Sequence, residues 1–290
     1  MNCTVVPVYK SFGSLTIEEL LSLKQLFKVL GSHPVYLVGP FSLDIQGYLD
    51  HAADVAVDIS VLKFENHFFE SIIGYNKLVL SEKFYKAFGK FDYILIYQTD
   101  CYVFKDEFAF WCSQDLDYVG APWTGTHSFD NVPLTGVGNG GFSLRRVKGM
   151  IQQLQQLRRF ELLMQYREFN WKGILPRMPL ILKEVWKAKY RVSAFEKNYQ
   201  CQEDFFWCKA VPAYMDSFSA RTWFIKILWQ LFARDSFRIA PEHIALRFAF
   251  ETAPREMFVR NKNTLPFGCH AWEKYDRAFW DKFIVPVEHV

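Results

Sequence analysis

Apolar and polar positions alternate along the chain in blocks that switch between the short runs of strands and the longer periodic stretches of helices. VVPVY (Val5 to Tyr9) reads as a buried strand, and the helix after it starts where Thr16 and Glu19 have the spacing of a capping box. That helix should stop near Gly31. A second strand, VYLVG (Val35 to Gly39), a third near Val55 to Leu62, and a helical stretch ending around Phe88 follow. DYILIYQTD (Asp92 to Asp100) is an apolar strand running into polar residues, and DYVGAPW (Asp117 to Trp123) is a further short strand leading into a loop. Helices are expected at Val147 to Tyr166, Pro179 to Lys189, Glu203 to Val211 and Trp223 to Phe232. Strands alternating with helices predict an α/β fold with a mostly parallel central sheet covered on both faces, and a helix-rich second half.

Composition narrows this picture only slightly. The 34 Lys and Arg against 31 Asp and Glu leave a net charge of +3 over 290 residues, which argues against a nucleic-acid partner. Aromatic residues make up 18% of the chain, enough for an aromatic core or for rings that stack on sugars. Cys3, Cys101, Cys112, Cys201, Cys208 and Cys269 are scattered without zinc-type spacing and are expected as free thiols in a reducing compartment. Met1 to Tyr9 carries no secretory pattern and no uncharged apolar run is long enough to span a bilayer, so a cytoplasmic location is expected. Arg221 to Phe232 (RTWFIKILWQLF) is apolar and bracketed by cations; it reads either as a packed helix or as a peripheral contact with the inner membrane.

Four constellations could carry chemistry. Gln98-Thr99-Asp100 closes an apolar strand, where ligands of open α/β sheets bind, and a carboxylate there can hold a hard divalent cation before a diphosphate. Gly138-Asn139-Gly140-Gly141-Phe142-Ser143-Leu144 permits positive φ and close approach of a ligand to the main chain, yet matches neither a Walker loop nor a dinucleotide fingerprint. Glu203 and Asp204 open an aromatic helix, where they serve either as first-turn acids or, for Asp204 facing a cleft, as the acceptor of a hydroxyl proton. His270, in PFGCHAW, offers a neutral nitrogen that would complement Asp100 as a metal ligand.

In this order the elements resemble the GT-A glycosyltransferases, with QTD in place of D-x-D, then GNGGFS, QED and a C-terminal His. More narrowly, YQTDCYVF, DYVGAPW, GNGGFSLRR, EDFFW, ALRFAFE and PFGCHAW are similar to an uncharacterised bacterial glycosyltransferase-like domain family associated with surface-polysaccharide genes, over roughly residues 30 to 275. The resemblance implies a single GT-A domain, with residues 1–145 as the nucleotide-sugar half and 146–290 as the acceptor side. It implies a nucleotide-sugar donor, UDP-sugar favoured, a glycan or lipid-linked acceptor, and Mn²⁺ or Mg²⁺ as cofactor. Asp100 and His270 would be the metal ligands, and Asp204, with Glu203 beside it, would be the catalytic base of an inverting transfer. Gln98, Asp100, Gly140, Gly141 and Arg145 would contact the donor, with Arg146 a second phosphate partner. Gln98 departs from the pattern because it adds no negative charge, which puts metal dependence in question. Two other readings stay open: a carbohydrate- or nucleotide-binding module without turnover, and a transferase acting on protein or modified nucleic acid.

Overall fold

The computed structural model describes residues 3–8, 14–124, 133–167, 169, 171–216, 223–232 and 236–284. The strands are β1 (Cys3–Val8), β2 (Val35–Pro40), β3 (Ile59–Phe64), β4 (Tyr93–Gln98), β5 (Cys101–Val103), β6 (Tyr118–Val119), β7 (Pro122–Thr124), β8 (Leu134–Val137), β9 (Phe142–Arg146), β10 (Ala249–Phe250) and β11 (Gly268–His270). Six of them form the central sheet in the order β3-β2-β1-β4-β9-β6. The first four run parallel, and β9 lies antiparallel between β4 and β6. The α/β architecture with a mostly parallel sheet is therefore as expected.

Why β4 is apolar throughout follows from its two faces. Tyr93, Leu95 and Tyr97 pack with Leu23 and Leu26 of the helix Ile17–Leu30 on one side of the sheet. Ile94 and Ile96 pack on the other with Phe84, Met150 and Leu154, from the helices Glu82–Ala87 and Val147–Met164. Both faces are dry, so the strand loses the alternation of a half-exposed one. The capping box has a second use. Thr16 Oγ1 accepts the Glu19 amide and Glu19 Oε2 accepts the Thr16 amide, while Glu19 Oε1 accepts the buried Thr99 hydroxyl at 2.9 Å. The helix start thereby clamps the turn that follows β4.

Several boundaries differ from expectation. Asp54 to Val57 is the turn ending the helix Gln46–Ala53, with Ala56 at φ 55°, so the third strand begins only at Ile59. DYVGAPW is not one strand. It splits at Gly120, where a Cβ would stand 1.7 Å from the Gly138 carbonyl, into β6 in the central sheet and β7 in a two-stranded sheet with β8. The helix opened by Glu203 continues through a π-helical stretch, Phe206–Ala210, to Met215. PFGCHAW, not among the strands expected from the sequence, contributes β11, which pairs with β10 and β5 in a third sheet. Of the segment Arg221 to Phe232, Arg221 and Thr222 lie outside the described residues; the helix Trp223–Phe232 buries Leu228 and exposes Ile227 and Leu231. Among the described residues no helix is long and apolar enough to cross a membrane.

Candidate functional site

Strand register assembles one wall of the site. β11 pairs antiparallel with β5 so that His270 stands opposite Cys101, and parallel with β10 so that Cys269 stands opposite Phe250. Asp100, the residue before β5, His270, the last of β11, and Glu251, the residue after β10, therefore meet at one edge. His270 Nδ1 lies 3.0 Å from Glu251 Oε1, and Nε2 lies 3.2 Å from Gln98 Oε1 and 3.4 Å from Asp100 Oδ1. Burial pulls the imidazole pKa down, but the charges and hydrogen bonds of Asp100 and Glu251 outweigh it and hold His270 up at about 10. Without a cation, then, this wall is an imidazolium between two carboxylates.

The opposite wall is a loop stitched to a helix. Asn139, left-handed at φ 67°, donates its amide to Asp204 Oδ2 at 2.7 Å, and Trp123 Nε1 donates to the same oxygen at 3.3 Å. Asp204 Oδ1 accepts the Phe205 amide at 2.8 Å. Burial raises the Asp204 pKa against the pull of those amides. Next to it, Glu203 Oε1 lies 2.6 Å from Arg145 Nη2, in an ion pair withdrawn from solvent on both sides. Burial pushes the Glu203 carboxyl up to about 7, against Arg145 and with the help of Asp204. Arg145 also donates to the Gly140 carbonyl at 3.2 Å, the Ser143 hydroxyl at 3.0 Å and the Tyr85 hydroxyl at 3.0 Å.

These contacts correct two expectations. Arg145, expected against a donor phosphate, has its guanidinium fully buried beneath the loop and spent on Glu203 and Gly140, away from the cavity lining. Arg146 points to the other side of the strand, where it pairs with Asp115 and Tyr93. Gly140 and Gly141 do lie in the cavity wall, but their lack of a side chain answers to neighbours: a Cβ on Gly140 would stand 1.8 Å from Glu203 Oε1, and one on Gly141 2.1 Å from His270 Nε2. Glycine here lets the loop close on both walls at once.

Between the walls lies a cavity of about 620 Å³, lined by Gln98, Asp100, Trp123, Asn139, Glu203, Asp204, Glu251 and His270 among others. It opens beyond the carboxyl end of β4, where α/β sheets bind ligands. Asp100, Cys101 and His270 offer ligand atoms within 4.8 Å of one another. The Cys101 thiol instead donates to the Gly141 carbonyl at 3.2 Å, which leaves a carboxylate, an imidazole nitrogen and the Gln98 amide oxygen facing the cavity. With Nδ1 held by Glu251, this set fits a divalent cation, which takes Nε2 once its proton leaves. Glu251 was not singled out from the sequence, although like Asp100 it is the first acid past the end of an apolar strand.

Residues 58–270 match the family described as "Protein of unknown function (DUF5672)". No curated protein matches the chain. Among solved structures, the glycosyltransferase GlyE of Streptococcus pneumoniae TIGR4 is similar at 14% identity over 98% of this chain, with a TM-score of 0.45, and the chain spans 60% of GlyE. The galactosyltransferase LgtC, in complex with donor and acceptor sugar analogs, is similar at 11% identity over 93% of this chain and 86% of its own, with a TM-score of 0.43. Core-mannan synthase A of Aspergillus fumigatus, in a Mn/GDP form, is similar at 10% identity over 70% and 71%, with a TM-score of 0.34. Likeness at this level assigns neither activity nor site.

Proposed function

The chain belongs to the family Protein of unknown function (DUF5672), and from that premise we propose that it is a single-domain, GT-A-type glycosyltransferase. It moves a sugar from a nucleotide-sugar donor, UDP-sugar favoured, to a hydroxyl of a glycan or lipid-linked acceptor in bacterial surface-polysaccharide synthesis. The observation that carries this reading is the convergence of Asp100 and His270 on one wall of the cavity with Asp204 on the other.

Asp100 and His270, with the Gln98 oxygen, would hold Mn²⁺ or Mg²⁺, which when bound neutralises charge on a departing diphosphate. Asp204 acts on the acceptor. Its two oxygens accept three N–H groups, so acceptor capacity remains for one hydroxyl proton. Burial that raises its pKa makes it a stronger base than a solvated aspartate. As the acceptor oxygen bonds to the anomeric carbon, the bond from that carbon to the diphosphate oxygen breaks, the hydroxyl proton passes to Asp204, and one displacement inverts the centre. Glu203 braces rather than reacts, since Arg145 occupies it. The Trp123 indole, fixed by Asp204, supplies a flat surface for a sugar face.

Gln98 favours a second reading, a nucleotide- or sugar-binding module without turnover, because it adds no charge to the cation site. A thermal-shift and calorimetry screen of UDP, GDP, CMP and dTDP sugars, with and without Mn²⁺, on the native chain and on Asp100→Ala and His270→Ala, tests the donor site. Stabilisation by one nucleotide sugar that needs Mn²⁺ and both residues is expected. Absence of nucleotide binding under every condition overturns the transferase reading; binding without release of nucleotide diphosphate, with or without acceptor, supports the module instead.

A further inference from the structure

The helical layer against Val147–Met164 carries a cationic and aromatic outer face. From Trp171 to Val192 the sequence holds six basic residues (Lys172, Arg177, Lys183, Lys187, Lys189, Arg191) and one acid, Glu184, a net of +5 against +3 for the whole chain. The rest of the chain is thus net negative. Helix Met178–Ala188 buries Ile181, Val185 and Ala188, and Ile181 and Val185 pack in one cluster with Leu163 and Leu228. Its other face is open: Leu180 is 58% exposed, Trp186 54%, and Tyr190, just past the helix end, 67%. Lys183 is exposed among them, and Lys189 Nζ sits 4.7 Å from the ring centres of both Trp186 and Tyr190. The helix Trp223–Phe232, packed into the same cluster through Leu228, itself exposes Ile227 and Leu231. None of these residues lines the cavity between Asp100 and Asp204.

Single exposed apolar side chains are ordinary. Leu, Trp and Tyr interleaved with lysines along one amphipathic helix face are not, because cations at the depth of large apolar groups suit a surface that offers phosphate and hydrocarbon together. We propose that this face docks on an anionic lipid bilayer, with Leu180, Trp186 and Tyr190 entering the headgroup region and Lys183 and Lys187 meeting lipid phosphates. A polyanion such as RNA would match the charge but leave Leu180 in water. The docking face thus centres on Met178–Ala188 and its flanks rather than on Arg221 to Phe232 alone.

Co-sedimentation of the full chain with phosphatidylcholine vesicles, and with vesicles containing phosphatidylglycerol, tests this. Binding to the anionic vesicles that weakens as salt rises is expected, with little binding to phosphatidylcholine. At about 1 kcal/mol per cation near the surface, Lys183→Gln with Lys187→Gln should lower vesicle affinity roughly 30-fold. Trp186→Ala should lower it several-fold at unchanged charge. A charge-matched control, Lys24→Gln with Lys28→Gln on the exposed side of Ile17–Leu30, should bind as the native chain does. Thermal melts of all variants separate loss of docking from loss of fold. Equal binding to both vesicle types, equal losses in the control, or tighter binding to heparin or RNA than to anionic vesicles each overturns the proposal.

Discussion

Asp204 holds the Asn139 amide at 2.7 Å across 65 residues of sequence, so the acid assigned to proton transfer also fixes the loop that shapes the cavity. The two duties separate by substitution. Asp204→Ala strands the buried Asn139 amide and the Trp123 indole, and should cost roughly 2 kcal/mol in urea unfolding along with the activity. Asp204→Asn keeps an acceptor for Asn139 while removing the base. It should retain most of the stability and nucleotide binding yet lose transfer by two orders of magnitude or more, on the scale of about 10²–10⁴ for general-base catalysis. Native turnover in Asp204→Asn would exclude the residue as base.

The pair Arg145–Glu203 predicts an asymmetric response. Removing one partner of a buried ion pair leaves an uncompensated charge, so above about pH 7, where the Glu203 carboxyl is ionised, Arg145→Met should destabilise by about 3–5 kcal/mol, whereas Arg145→Met with Glu203→Leu should recover much of that loss. Chemical denaturation of the single and double variants reads this directly. A double variant no more stable than Arg145→Met would show that the pair's geometry, rather than its charge balance, is what the loop needs.

Glu203 also predicts a pH dependence. Its carboxyl is raised from the ordinary 4.5 to about 7, so the folded chain holds the proton more tightly than the unfolded one. Stability from this group is therefore complete below about 4.5 and is lost as pH rises through about 7. Urea unfolding across pH 5 to 8 should show the native chain losing stability relative to Glu203→Gln as pH increases. A constant difference between the two would place the Glu203 proton elsewhere.

How far the sequence discloses the site depends on whether a signal is local. Asp100 is legible because a dry strand announces itself by an unbroken apolar run and the first acid after it must face the ligand edge. Glu251 obeys the same rule, but its strand is two residues long and follows directly on the helix Glu242–Phe248, so the apolar run reads as helix. Arg145 shows the converse. An arginine after a glycine-rich loop reads as a phosphate clamp, and only the fold, by seating β9 under the helix that starts at Glu203, turns it into a buried brace. The row Asp100–His270–Glu251 depends on β11 pairing with β5 on one side, where His270 stands opposite Cys101, and with β10 on the other, where Cys269 stands opposite Phe250, and such long-range pairing leaves no periodic trace in any of the three segments.

Gly141 should be intolerant of any side chain for a reason that activity alone would misassign. A Cβ there would meet His270 Nε2 at 2.1 Å, so Gly141→Ala must displace the imidazole although it deletes no functional group. Overpacking of this kind costs about 1–3 kcal/mol. Mn²⁺ binding, measured by calorimetry, should fall as far in Gly141→Ala as in His270→Ala. Undiminished Mn²⁺ affinity in Gly141→Ala would remove His270 from the cation site.

Gln98 is the position where chemistry and resemblance diverge, and one substitution decides what it does. Its Oε1 lies 3.2 Å from His270 Nε2, close enough to share a cation with that nitrogen and Asp100. Gln98→Asp shortens the side chain by one methylene but supplies a second negative charge, and cation affinity at oxygen sites rises with the number of charged ligands. If Gln98 belongs to the cation site, Mn²⁺ should bind on the order of tenfold more tightly to Gln98→Asp, about 1.4 kcal/mol by calorimetry. The same added charge would also hold the His270 proton more strongly, so the gain should be larger at pH 9 than at pH 7. Unchanged Mn²⁺ affinity at both pH values would mean that the Gln98 oxygen serves only as a hydrogen-bond partner of His270, and that the site holds its cation through Asp100 and His270 alone.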